Sequence, residues 1–83
     1  MMYCDYKITS TLDMGNKIKV IAVFCEGEYQ LIDGVNTYVR TNNIGQVVLM
    51  FEKSPVDEAE ITAELKKALE DIKGTREIIP ECL

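Results

Sequence analysis

The chain contains no histidine and no tryptophan. Without histidine it lacks the side chain that titrates near neutral pH, and with it the Ser-His and Cys-His arrangements of nucleophilic catalysis. It also lacks the commonest transition-metal ligand. Cys4, Cys25 and Cys82 are too far apart in sequence for zinc-ligand spacing. An odd number of widely separated cysteines is a poor disulfide framework and fits a reducing compartment. The five glycines, at 15, 27, 34, 45 and 74, stand singly, so no glycine-rich loop is present to cradle a phosphate. No apolar run is long enough to span a bilayer, and no signal-peptide core precedes the first strand-like segment. These absences predict a cytoplasmic, non-enzymatic chain with no cofactor, no metal and no membrane partner.

Positive charge is also scarce. Nine Lys and Arg stand against fourteen Asp and Glu, for a net charge of −5. Residues 1–53 carry a net −1 and residues 54–83 a net −4. Direct binding to nucleic acid needs a basic stripe along the phosphates, which this composition does not offer. With 83 residues, 47% of them hydrophobic, the chain is a single domain, 1–83, with one modest core.

The clearest element is an amphipathic helix over 55–73. Ser54 with Asp57 three residues later resembles a capping box, Pro55 suits the first helical position, and Gly74 suits a left-handed stop. Ile61, Leu65, Ala68, Leu69 and Ile72 recur at helical spacing and predict one buried stripe. Glu60, Glu64, Lys67, Glu70 and Asp71 lie off that stripe. The plain reading of this acidic face is a solvated surface; the sharper one is a docking surface for a basic partner.

Ahead of the helix, residues 3–52 read as four to five short strands. Residues 3–12 alternate, with Cys4, Tyr6, Ile8 and Leu12 on one face. A three-residue turn at Met14, Gly15 and Asn16 would pair Tyr6 with Phe24, Ile8 with Ala22 and Leu12 with Ile18, which gathers the apolar residues on one side. That register places Cys4 and Cys25 on opposite faces, unable to form a disulfide. Gly27-Glu28 predicts a type II′ hairpin that would bring Phe24 opposite Leu31. Asp33-Gly34 is a further turn, residues 37–41 a short strand, residues 42–45 a loop, and residues 46–51 a well-buried strand. The fold class is α+β: an antiparallel sheet with the helix packed on one face.

Few residues invite a chemical role. Glu26, Glu28, Asp13 and Asp33 lie at predicted turns, where acids are ordinarily solvated. Cys25 follows Phe24 in a strand, with no basic neighbour in sequence, and reads as a core thiol. Tyr38 beside Arg40 is a candidate contact patch, because tyrosine joins an apolar body to a polar tip. Ile78 and Ile79 could add an edge strand, pack under the helix or meet a second chain; Pro80 limits any strand there. The reading that fits best is a small binding protein engaging a basic partner surface through the acidic face, in the manner of an inhibitor or adaptor of phage or mobile-element type. The alternative is a subunit that self-associates through a sheet edge or the Ile78-Ile79 tail.

Overall fold

The structure is a computed structural model that describes residues 1–52 and 56–80. It is α+β: three long strands, one helix and a two-residue strand form a four-stranded mixed sheet beside a single helix. The elements are β1 (Tyr3–Asp13), β2 (Lys17–Ile32), β3 (Val35–Glu52), α1 (Glu58–Ile72) and β4 (Glu77–Ile78). The order across the sheet is β3-β2-β1-β4. The first three strands are antiparallel neighbours, whereas β4 runs parallel to β1. The sheet is therefore mixed, which corrects the purely antiparallel sheet that the sequence predicts. Of the three readings of Ile78-Ile79, the structure forms the edge strand, with Ile78 beside Cys4.

Strand number is the second correction. Gly27-Glu28 does not turn, and Phe24 faces Gly45 instead of Leu31. Gly27 is buried inside β2, where a Cβ would collide with the carbonyl oxygen of Val39 and lie 2.9 Å from Tyr38 Cζ. The glycine answers a close approach by the neighbouring strand, the other use of glycine within a strand. The hairpin turns instead at Asp33-Gly34, with φ of 49° and 80°. Two consecutive positive φ values are what a two-residue type I′ connection requires, and Asp-Gly supplies them at low strain.

Residues 42–45 do not form a loop. They continue β3 through two register slips that leave Ile44 and Thr41 without partners opposite β2. Such bulges bend a strand without ending it. A third slip, at Thr9 in β1, limits the predicted β1–β2 register. Tyr6 pairs with Phe24 and Ile8 with Ala22, as expected, but beyond Thr9 it is Lys19 that faces Leu12, and Asp13 that faces Ile18. Leu12 is 52% exposed, and Ile8, which pairs as predicted, is 44% exposed. Before the slip the register holds, so Cys4 and Cys25 point to opposite faces, as the sequence predicts.

The helix begins later than the sequence predicts. Asp57 is its N-cap, its carboxylate accepting a 3.1 Å hydrogen bond from the Ala59 amide. Ser54 and Pro55, the predicted start, lie outside the described residues. Gly74 follows the C-cap Lys73 with φ of 60°, the left-handed conformation expected of it. Leu65 and Leu69 of the predicted stripe are fully buried, and Ile61, Ala68 and Ile72 partly so. Burying each leucine contributes about 1.5–3 kcal/mol relative to exposure. Leu69 shares one buried cluster with Cys4, Phe24 and Ile78, flanked by Tyr6, Ile44, Val47, Ala68 and Ile72. No helix among the described residues is long and apolar enough to cross a membrane.

Candidate functional site

Two polar groupings emerge on different elements. The first lies on the sheet face that carries Cys25, opposite the Cys4–Phe24 cluster. Asp5 in β1 faces Cys25 in β2, and the bulges in β3 bring Arg40 beside them. Asp5 is 2% exposed. An isolated carboxylate at that depth is costly, so it needs partners that supply charge and hydrogen bonds. Arg40 supplies both: Nε donates to Oδ2 at 2.9 Å and to Oδ1 at 3.2 Å, and Nη2 donates to Oδ2. The Tyr38 hydroxyl adds a donor to Oδ1 at 3.2 Å. Both of Asp5's oxygens are therefore served by side chains more than thirty residues away.

This arrangement suppresses acid–base reactivity at its neighbours. Burial, reinforced by the negative charge of Asp5, pushes the Cys25 thiol up from its ordinary value; Arg40 and Lys7 only partly oppose this. The thiol instead donates to Asn43 Oδ1 at 3.4 Å. Burial and Asp5 also push the Tyr38 phenol far above the usual range. The hydrogen bond to Asp5 holds the Arg40 guanidinium more firmly charged. An open hollow beside the cluster is lined by Lys7, Cys25, Arg40 and the bulge residues Thr41, Asn42 and Asn43. Its cations and amides could accept an anion, but it presents no activated nucleophile. Among the described residues no group of three metal-ligating side chains exists.

Next to this cluster the tyrosines stack. Tyr3 and Tyr29 meet edge to face at 4.9 Å between centroids, and Tyr29 and Tyr38 are tilted at 5.6 Å. The Tyr38 ring also covers Gly27. Tyr38 and Arg40, predicted as a contact patch, are thus engaged within the chain, although Arg40 keeps 43% of its side chain exposed.

The second grouping is the outer face of α1. Glu60, Glu64, Lys67, Glu70 and Asp71 are all exposed, as their spacing predicts. Glu70 pairs with Lys73 at 3.3 Å. At the end of the helix Arg76 donates to the Lys73 carbonyl at 3.2 Å and to Glu26 Oε2 at 2.9 Å, tying the helix terminus to β2. That hydrogen bond is the main reason the Glu26 carboxyl lies below its ordinary value; the Asn42 amide adds to it. Glu26 is therefore a clamp on the helix, not a turn acid. Ile78 and Ile79 are 9% and 6% exposed, so most of each is already covered within the chain.

Sequence reasoning missed Asp5. Alternation assigned it to a polar strand face, and only the continuity of β3 through its bulges shows which cation reaches it. No family model, curated protein or solved structure matches this chain.

Proposed function

We propose that the chain acts by binding another protein, and that the outer face of α1 engages a basic surface on that partner. The observation that carries this reading is an exposed acidic face most of which the helix does not need for its own stability, since of its carboxylates only Glu60 lies in the first turn where the dipole favours it. Glu60 and Glu64 stand four apart, a like-charge spacing that destabilises a helix. Glu70 and Asp71 lie in the last turn, where the helix dipole disfavours negative charge, and that turn holds no basic residue. Lys73 at the C-cap offsets only Glu70. Carboxylates placed against local stability are explained by a complementary surface elsewhere, where they raise encounter rate and specificity.

The catalytic alternative lacks comparable support. The thiol and phenol beside Asp5 are pushed away from reactive states, and Asp5 itself is held in a structural ion pair. We place the protein in the cytoplasm on the strength of its three widely spaced cysteines, a poor disulfide framework, and regard an inhibitor or adaptor of phage type as the form that fits its size and charge. In this account the helix docks on the sheet through the Leu69 cluster, which leaves the acidic face outward. Reversal of Glu60, Glu64 and Glu70 to Lys is expected to abolish partner binding while the unfolding midpoint is retained. Undiminished affinity in that folded triple variant would refute the reading.

A further inference from the structure

We propose that the outer edge of β3 pairs with the same edge of a second copy of this chain, antiparallel over residues 46–52 and centred on Leu49. β3 is the terminal strand of the sheet, and among the described residues no strand pairs with its outer side. Alternate residues of such a strand turn their N–H and C=O groups outward, ready for another strand. Edge strands are ordinarily protected by lysine, proline or brevity. β3 is 18 residues long and has none of these devices. Its bulges, at Thr41 and Ile44, lie in the other half and leave residues 46–52 regular.

Self-complementarity points to a second copy as the occupant: paired antiparallel about Leu49, the segment sets Gln46 opposite Glu52 and Val48 opposite Met50, with no like charges opposed. The chain carries −5 overall, so two copies repel over most of their surface. Along β3 only Arg40 and Glu52 are charged, and residues 46–51, Gln-Val-Val-Leu-Met-Phe, contain no charge, no proline and no glycine. The edge is the place where two acidic copies can meet without like charges opposed. The opposite sheet edge cannot serve equally: β4 has two residues and covers β1 only at Tyr3 and Cys4, and the rest of the β1 edge carries Asp5, Lys7 and Asp13 and is interrupted by the bulge at Thr9. Side chains agree with the backbone. Val48 and Met50 are 47% and 48% exposed, on the face away from the Leu69 cluster. Pairing centred on Leu49 sets Val48 of one copy opposite Met50 of the other, twice across a two-fold axis, as an isologous contact requires. The result is one continuous eight-stranded sheet.

Sedimentation equilibrium of the full chain tests this, alone and with two charge variants. The wild type is expected at twice its 9.4 kDa mass. Val48→Lys with Met50→Lys places lysine opposite lysine, and Val48→Glu with Met50→Glu places glutamate opposite glutamate. Each variant alone is expected as a folded monomer, and an equimolar mixture as a one-to-one heterodimer. A monomeric wild type at its highest soluble concentration would overturn the proposal, as would a lysine variant that remains dimeric or folded variants that do not combine. If the variants fail to fold, hydrogen exchange of the wild type decides. Protection of amides in residues 46–52 that rises with protein concentration supports the pairing; protection independent of concentration overturns it.

Discussion

Replacing Arg40 with Ala strips the charge partner from a buried carboxylate. Asp5 loses the Nε and Nη2 donors and, among the described residues, keeps the Tyr38 hydroxyl at 3.2 Å as its side-chain donor. Breaking a wholly buried pair from one side costs about 3–5 kcal/mol. Here the Arg40 side chain is 43% exposed, so water takes over part of its role and the pair is not fully desolvated. The expected loss is about 2–3 kcal/mol, between that limit and the ~1.5–3 kcal/mol of a hydrogen bond to a charged group. For a chain of this size, total stability is about 4–12 kcal/mol, so the loss is a large fraction of it. Each kcal/mol moves the midpoint of a small domain by about 4–8 °C, which predicts a fall of about 10–20 °C. Urea titration read by circular dichroism measures the effect, with an unchanged slope confirming that stability alone has moved. Adding Asp5→Asn in the Arg40→Ala background should recover part of the loss, because no buried charge then lacks a partner. A loss under about 0.5 kcal/mol would refute the reasoning, since exposed surface pairs contribute that little.

Three further outcomes follow from the same geometry. Gly27→Ala drives a methyl against the Val39 backbone and should cost about 2–3 kcal/mol, whereas Gly45→Ala meets only the flexible tip of Ile72 and should cost about 1 kcal/mol; equal midpoints would contradict the close strand approach. The Glu26 carboxyl lies below its ordinary 4.5 in the folded chain, so its contribution is present above that pH and is lost as pH falls through the folded value; Glu26→Gln should flatten the acid limb of the stability–pH curve, and an unaltered limb would remove the clamp. Burial raises the Cys25 thiol, so peptide-resolved alkylation in mildly alkaline buffer should label it far more slowly in the native than in the unfolded chain, and equal rates would show an activated or exposed thiol.

Local signals carried much of the architecture. The stripe through Ile61, Leu65 and Leu69 located the helix, Gly74 its end, and the alternation from Cys4 to Ile8 the register of the first hairpin. What could not be read was length. Glycine and asparagine mark turns and bulges alike, so Gly27 and residues 42–45 appeared to break strands that in fact continue. The difference lies in the neighbouring strand: Tyr38 and Val39 close over Gly27, and Glu26 receives the Asn42 side chain, neither visible from local sequence. The same long-range pairing decides the polar cluster. Tyr38 and Arg40 were legible as a pair of interest, but their object, Asp5, became visible only with β3 threaded past β1 and β2. The acidic helix face was legible in full, because it depends on helical spacing alone.

The measurement that bears most directly on the proposed function is quantitative affinity capture from a lysate of the source cells. The native chain and the folded Glu60→Lys, Glu64→Lys, Glu70→Lys variant would be compared side by side at two salt concentrations. A basic partner recovered in stoichiometric amount with the native chain, weakened by salt and absent from the variant, is the predicted result. Recovery of the same partners in equal amount by both proteins would contradict the account.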